Sequence, residues 1–174
     1  AIVEAMDKAL LLLGDRRLPM LLRIPIFHYQ FAYIHPFYDG NGRMDRFISS
    51  YLLAWSFNPL LGYNLSFAIK KELPVYYRLF KETNDPRNRG DLTPFVIGFL
   101  RLIRHCAEDL NLSLMKRLEK LTFYREKMLR LYSGDTRFHL LHILLMNTLF
   151  GYRGITAKEL AAGAELSEST VRGL

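Results

Sequence analysis

The sequence contains a single cysteine, Cys106, among 174 residues. One cysteine can form neither an intrachain disulfide nor a cluster of thiolate metal ligands, which excludes the disulfide-rich and thiolate-zinc classes. No basic segment precedes the apolar run at Leu10–Leu13, and no small-residue cleavage site follows it, so no export signal is visible. We therefore expect a reducing, cytoplasmic compartment.

Charged residues are absent between Phe47 and Ile69, a stretch long enough to suggest a membrane span. Asn58, Pro59 and Gly62 interrupt this stretch near its middle. Because proline breaks a helix interior, we interpret the stretch as a buried helix followed by a loop. The prediction is a protein without membrane association.

Alternating strand patterns are nearly absent, whereas apolar residues recur at spacings of three and four. Half of the residues are hydrophobic, including 12 Phe and 10 Tyr, which favours a globular chain over a disordered one. The pattern predicts an all-α protein. The predicted helices cover segments 2–13, 20–34, 43–57, 66–83, 92–110, 112–132 and 138–150.

The C-terminal part has a different layout after a break at Ser133-Gly134-Asp135. A helix over 138–150, a short helix over 156–162 and a helix beginning near Ser167 resemble a helix-turn-helix, and Thr156 with Glu159 predicts a capping box. The chain starts at Ala1 without Met and stops at Leu174 before any wing, so we expect a fragment with a truncated winged-helix-like piece. The predicted domains are 1–132 and 133–174.

The net charge of +7 raises the alternative of a nucleic-acid partner. The positive charge is spread out, because segment 101–130 holds eight basic against four acidic residues and segment 153–174 holds three of each. Arg172 is the only base in the last predicted helix, which also carries Glu168. A DNA-binding regulator, with the helical core as a nucleotide sensor, therefore remains the alternative hypothesis.

The loop between Ile34 and Arg43 contains the largest group of residues suited to binding or catalysis. Pro36 and the glycines end one helix, and the apolar run after Arg43 starts another, so the loop lies at a helix N-terminus. Two glycines around Asn41 let backbone N–H groups converge, and the positive end of the helix dipole adds to them. The pattern predicts a site for phosphate.

Four side chains of this loop fit the chemistry of a bound polyphosphate. Arg43 and Arg46 lie one helical turn apart and can both reach phosphate oxygens. Asp39 is suited to hold Mg²⁺, which commonly binds one or two carboxylates together with substrate phosphates. His35 can accept a proton from an attacking hydroxyl, since imidazole is the side chain that exchanges protons near neutral pH.

These residues resemble the motif of the Fic family, H-x-F-x-(D/E)-G-N-G-R-x-x-R, at all eight fixed positions. The resemblance continues upstream through His28–Phe31 and downstream through Leu65-Ser66, Tyr76-Tyr77 and Gly90-Asp91. It covers residues 1–110 and extends toward 132. It implies a Fic-type helical bundle and a protein adenylyltransferase, which moves AMP from ATP onto a Ser, Thr or Tyr hydroxyl of a target protein.

The resemblance also implies a role for each motif residue. His35 corresponds to the general base, Phe37 to a core anchor that fixes the loop, and Asp39 to the Mg²⁺ ligand. The implied binding residues for ATP are Phe37, the anion-hole residues Gly40, Asn41 and Gly42, and Arg43 and Arg46 on the outer phosphates. In phosphorylating relatives a lysine stands at the position of Gly42, so glycine here implies that the α-phosphorus faces His35.

Two regulatory parts of the family are not found in the sequence. Members dock the target on a β-hairpin flap, which would precede Ala1. Many members also carry an inhibitory helix with the pattern (S/T)-x-x-x-E-(G/N), and the nearest segment here, Thr122 to Glu126, is followed by Lys127. We expect the inhibitory helix on additional N-terminal residues or on a separate partner chain.

The remaining histidines and two aromatic residues have simpler interpretations. His28, His105, His139 and His142 have no ligand partner at metal spacing, so we interpret them as structural. By the resemblance, Tyr76 and Tyr77 line an adenine pocket, whereas aromatics at helical spacing more commonly belong to the core. Both interpretations of the tyrosines stay open from the sequence.

Overall fold

The computed structural model describes residues 1–132 and 135–173, and within these ranges it contains helices and no strand. The all-α prediction is confirmed. The chain divides into two compact units, Ala1–Leu110 and Asn111–Leu174. This division differs from the predicted boundary at 132/133, and the assignment of functions to the two predicted domains stays a prediction.

Seven helices begin within the first unit, and their bounds confirm the predicted helices over 2–13 and 20–34. They are α1 (Ile2–Gly14), α2 (Met20–Ile34), α3 (Asn41–Ser56), α4 (Pro59–Lys71), α5 (Leu73–Thr83), a 3₁₀ turn (Pro86–Asn88) and α6 (Thr93–Tyr132). In the described ranges, no helix is both long and apolar enough to cross a membrane.

The prediction of a loop after Asn58 is wrong, because α4 begins at Pro59. The Asn58 side chain accepts a hydrogen bond from the Leu60 N–H at 2.9 Å, and proline at the first helical position needs no acceptor for an N–H. Gly62 does not break the helix either. A Cβ there would overlap the carbonyl oxygen of Ser50 and the backbone of Ala54, so the glycine lets α3 and α4 approach closely.

Two further predicted helix boundaries are wrong. The predicted helix over 66–83 is divided near Glu72 into α4 and α5, because Pro74 lies in the first turn of α5 and provides no N–H for the preceding turn. The predicted helices over 92–110 and 112–132 form the single helix α6. No glycine or proline occurs between Phe99 and Tyr132 to end it.

The core of the first unit holds both helices that flank the motif loop. Ile24 of α2, Leu53 of α3 and Leu65 of α4 are fully buried in one apolar cluster. Its other fully or largely buried members come from α4, α5 and α6: Ile69, Tyr76, Leu79, Phe95, Phe99, Leu102 and Ile103. Because α2 and α3 are both fixed by this core, the ends of the loop between them are held in place.

The second unit contains part of α6 together with α7 (Thr136–Phe150), α8 (Ala157–Gly163) and α9 (Glu168–Gly173). The predicted capping box is confirmed, with Thr156 and Glu159 bonded reciprocally at the start of α8. Of the predicted break, Ser133 and Gly134 lie outside the described residues. The helix-turn-helix assignment stays a prediction.

Candidate active site

His35 is the first residue after α2 and has a left-handed backbone, with φ 52° and ψ 58°. Its N–H donates to the Phe31 carbonyl oxygen at 3.0 Å and so caps the helix. This conformation is uncommon for a residue other than glycine. It turns the chain out of the helix, and the His35 side chain is exposed at the start of the loop.

Asn41 ties the loop to the first turn of α3. Its side chain is buried, its Nδ2 donates to the Phe37 carbonyl oxygen at 2.6 Å, and its Oδ1 accepts from the Phe37 N–H at 2.9 Å. The amide group is therefore engaged in holding the loop. Asn41 is predicted to contribute to an anion hole. Since its side chain is already bonded, only its backbone N–H can contact a bound anion.

Gly40 makes the transition from the loop into α3. It has a left-handed backbone with φ 81°, and its carbonyl oxygen accepts from the N–H groups of Arg43 and Met44 at 3.0 and 2.9 Å. Its own N–H donates to Asp39 Oδ1 at 2.6 Å. The N–H groups of Asn41 and Gly42, the first two residues of α3, have no carbonyl ahead of them and can receive an anion.

The guanidinium groups of Arg43 and Arg46 lie beside the two loop glycines. A Cβ built on Gly40 would lie 3.7 Å from Arg43 Nη2, and a Cβ built on Gly42 would lie 3.4 Å from Arg46 Nη1. Arg43 is 3.4 Å from Asp39 Oδ2, whereas Arg46 forms no ion pair within the described ranges. The glycines, the helix N-terminus and two guanidiniums thus come together as the sequence predicts for a phosphate site.

Asp39 suits a metal that is shared with a substrate. Its side chain is 87% exposed beside the anion site, and one oxygen contacts the Gly40 N–H. Among the described residues, no group of three or more His, Cys, Asp or Glu could hold a metal ion without a substrate. A single carboxylate next to a phosphate site fits Mg²⁺, which typically completes its shell with phosphate oxygens and water.

Comparison with known proteins points to one family. Residues 1–53, which include the whole loop, match the model of the Fic/DOC family. These matches support a Fic family protein. Over 81 residues, or 47% of this chain, the sequence is 37% identical to the "Protein adenylyltransferase Fic" of Drosophila grimshawi and to that of Drosophila melanogaster. The chain spans only 14% of the length of these relatives.

A solved structure extends the likeness beyond the loop. The crystal structure of a Fic family protein from Desulfovibrio desulfuricans G20 aligns with 99% of this chain and 46% of its own, with a TM-score of 0.59 and 26% sequence identity. The likeness agrees with the helical architecture that the Fic resemblance implies.

Phe37 departs from its role as the predicted core anchor of the Fic-type loop. Its side chain is 50% exposed, and its ring packs against Phe31 with the centroids 6.1 Å apart. The prediction of a buried anchor is wrong, because half of the side chain is accessible to solvent, while the ring meets the core through Phe31. The ring instead lines a shallow cavity of about 390 Å³ together with Asp39, Gly40, Arg43 and Met44.

A larger aromatic groove begins at the two arginines of the Fic-type motif and runs between α3 and α4. Its volume is about 660 Å³. Tyr51 and Trp55 stack along one wall with ring centroids 6.4 Å apart, and Tyr63 lies on the opposite helix. The groove therefore offers flat apolar surface next to the positively charged end of the site.

The sequence interpretation missed a buried polar network behind the arginines. His28 Nδ1 lies 2.8 Å from Ser49 Oγ and 3.1 Å from Asp45 Oδ1, and His28 Nε2 lies 2.8 Å from the Tyr76 hydroxyl. Tyr76 is thus part of the core, whereas Tyr77 is 58% exposed. A signal was present in the sequence, since Asp45 shares one helical face with the buried Ser49 and Leu53.

Burial determines the protonation of this network. It raises the pKa of Asp45 to about 9, against the opposing effect of the Arg46 charge. Burial, together with the Arg46 charge, lowers the pKa of His28 to about 3. Both residues are nearly inaccessible to water, with 0% and 1% of the side chains exposed. At neutral pH the pair holds one proton and carries no net charge.

Proposed function

We propose that this chain is the catalytic part of a protein adenylyltransferase, which transfers AMP from ATP to a hydroxyl side chain of a target protein. One arrangement carries the proposal: an exposed imidazole, His35, at one end of a loop whose other end presents helix N–H groups and two guanidiniums. Proton acceptor and phosphate site are thereby held on opposite sides of one short connection.

In the proposed reaction, the target hydroxyl oxygen attacks the α-phosphorus of ATP in line. A bond forms between these two atoms, the bond from the α-phosphorus to the oxygen bridging to the β-phosphorus breaks, and pyrophosphate leaves. His35 takes the hydroxyl proton. The remaining catalysis comes from holding the reactants and stabilising phosphate charge.

The phosphates would be bound by the first turn of α3 and its two arginines. The backbone N–H groups of Asn41 and Gly42 and the dipole of the helix favour negative charge at this point. Arg43 and Arg46 would contact the outer phosphates with charge-assisted hydrogen bonds. Mg²⁺, held by Asp39, would neutralise part of the polyphosphate charge when bound.

Gly42 supports AMP transfer rather than phosphate transfer. A Cβ at this position would already be in contact with Arg46 Nη1, so a longer side chain would occupy space beside the guanidinium. With glycine, the γ-phosphate has room next to Arg46 and the α-phosphorus can face His35. This orientation rests on the resemblance to the Fic family and is the part of the proposal that isotope labelling addresses.

The decisive experiment uses the full-length protein, host lysate and ATP labelled at either the α- or the γ-phosphate. We expect target proteins to acquire the α-label and not the γ-label, with pyrophosphate released. The His35→Ala protein provides the background. Label arriving only from the γ position would identify a kinase and refute AMP transfer.

The DNA-binding alternative gains no specific support from α9. Arg172, the only base of this helix, is bonded to Glu168 at 2.6 Å, and Arg153 before α8 is paired with Glu159. Each guanidinium thus has a carboxylate beside it, which lowers the local positive charge that DNA phosphates would meet. A gel shift of the intact protein at physiological salt tests the alternative, and we expect no retarded DNA.

Regulation and location also stay predictions. We expect a partner chain, or additional N-terminal residues, to supply an inhibitory glutamate against Arg46, and we expect the protein to act in the cytoplasm. Co-purification of the full-length protein with its genetic neighbours would test for such a partner chain.

A further inference from the structure

Asp45 has no evident reason to be buried. Its side chain is 1% exposed, and neither carboxylate oxygen has a hydrogen bond of good geometry within the described ranges, although Oδ1 is 3.1 Å from His28 Nδ1. A buried carboxyl group without strong partners is costly to a fold unless it stays protonated. Its presence next to Arg46, one of the two arginines assigned to phosphate, calls for an explanation.

The groups around Asp45 come from three helices. The titratable groups that face it are His28 from α2, Tyr76 from α5 and Arg46 from α3 itself. The other side of His28 is closed by apolar rings of α6, with Phe99 at 4.6 Å and Phe95 at 6.1 Å between centroids. Arg46 carries the permanent charge that acts on His28, Asp45 and Tyr76.

Arg46 lies between the network and the loop. On the outer side, its Nη1 is beside Gly42. On the inner side, the charge of the guanidinium opposes the rise in pKa that burial causes for the Tyr76 hydroxyl. The Tyr76 hydroxyl in turn lies 2.8 Å from His28 Nε2, so the Arg46 charge acts on the hydroxyl that contacts His28.

We propose that Asp45, His28 and Tyr76 form a buried support that positions the Arg46 guanidinium and leaves its charge available for polyphosphate. The inference rests on the proposed function, in which Arg46 binds the outer phosphates. The carboxyl group acts in its protonated form, as a hydrogen-bonding partner without charge. An ionised Asp45 would attract the adjacent guanidinium and reduce its attraction for phosphate.

The proposed support makes polyphosphate affinity depend on pH, which a merely structural network would not do. As the pH rises through the pKa of Asp45, a negative charge appears next to Arg46, and polyphosphate affinity should fall. Asp45→Asn keeps the shape and hydrogen bonding of the protonated acid and cannot ionise, so its affinity should not show this additional fall. Asp45→Ala removes the partner of His28 and should weaken binding at every pH.

The test is calorimetric titration of the full chain with inorganic tripolyphosphate at about pH 7.5 and about pH 10. We expect wild type and Asp45→Asn to bind alike at the lower pH. At the higher pH, the asparagine protein should bind roughly threefold or more tightly than wild type. Tyr76→Phe, which removes the hydroxyl between His28 and Arg46, should weaken binding at both values.

Several results would overturn the inference. Equal tripolyphosphate affinities of wild type and Asp45→Asn at both pH values would mean that Asp45 does not act on Arg46. A loss of affinity in Asp45→Asn at the lower pH, in a folded protein, would mean that the ionised carboxylate is required. If Asp45→Asn fails to fold, unchanged tripolyphosphate binding by Tyr76→Phe overturns the inference. A wild-type protein that does not bind tripolyphosphate overturns it as well.

The probe separates this inference from the proposed function. Tripolyphosphate has no nucleoside and no α-phosphorus to transfer, so its binding reports on the phosphate site without the transfer step. A chain that shows the expected difference between variants and yet transfers no α-label would retain the support while refuting AMP transfer.

Discussion

His28 Nδ1 lies 3.1 Å from Asp45 Oδ1, and both side chains are excluded from water. The pair holds one proton from about pH 3 to about pH 9, because burial lowers the pKa of His28 and raises that of Asp45. In the unfolded chain, whose ordinary pKa values are 6.5 and 3.8, the same pair holds two, one or no protons across this range. The stability of the first unit should therefore depend on pH in a defined way.

The first prediction is a plateau of stability between about pH 3.8 and pH 6.5, with a decline on either side. The raised pKa of Asp45 gives stability that is lost as the pH rises toward 9, and the lowered pKa of His28 gives stability that is lost as the pH falls toward 3. Between pH 3.8 and pH 6.5, the ordinary pKa values of Asp45 and His28, the two opposing changes of stability with pH cancel. Above pH 6.5 only the Asp45 slope remains, about 3 kcal/mol by pH 9.

Urea unfolding at several pH values, followed by the circular dichroism of the helices, measures this dependence. Asp45→Asn is the matched variant, because it removes the alkaline decline and leaves the loss of stability below pH 6.5 that is due to His28. An alkaline decline of equal size in both proteins would contradict the assignment to Asp45.

Substituting His35 should separate transfer from binding. We expect His35→Ala to abolish AMP transfer while Mg-ATP binding stays nearly intact, because the imidazole serves the nucleophile and the phosphates contact Gly40 to Arg46. Calorimetry and α-label transfer measure the two properties. His139→Ala, at an exposed position of α7, is the control and should change neither. Loss of ATP binding in His35→Ala would make His35 a structural residue.

Reversing the charge at Arg46 should act on ATP itself. Arg46→Glu places a carboxylate where the outer phosphates are expected, so ATP affinity should fall by roughly tenfold or more, and added salt should not restore it. Arg101→Glu, an exposed arginine on α6, makes the same charge change away from the loop and should have little effect. Equal affinities of the two variants would place Arg46 outside the site.

Asn41 should matter for both stability and activity. Asn41→Ala deletes the two hydrogen bonds to the Phe37 backbone and leaves its partly buried N–H and carbonyl unpaired, which should cost about 1–3 kcal/mol and strongly reduce transfer. Asn64→Ala loses one exposed hydrogen bond to the Leu60 carbonyl, and we expect a change of about 0.5 kcal/mol or less. Equal effects in urea unfolding would show that the Asn41 bonds do not hold the loop.

The close approach of α3 and α4 provides a prediction that involves no catalytic group. Gly62→Ala introduces a Cβ that overlaps Ser50 and Ala54, so it should lower the free energy of unfolding by about 1–3 kcal/mol. Gly14→Ala, at the last residue of α1, meets no atom within 4 Å and should be neutral or slightly stabilising. A neutral Gly62→Ala would mean that the two helices can separate without cost.

Local signals in the sequence were enough for the helical class, the loop and its chemistry. Pro36, the two glycines and the arginine at the helix start lie within one short segment, so their positions relative to each other follow from the geometry of a loop entering a helix. The capping box of Thr156 and Glu159 was predictable for the same reason. Each of these features depends on contacts between residues that are close along the chain.

Tertiary structure decided what depends on contacts between helices. Gly62 looked like a helix breaker and proved to be the place where two helices meet, and Phe37 looked buried and is half exposed. The sequence alone did not distinguish Asp45 from the other acidic residues, yet packing against neighbouring helices buries it and raises its pKa so that it stays protonated. The composition of a segment does not determine these outcomes, because desolvation and the identity of a partner arise only when distant segments pack together.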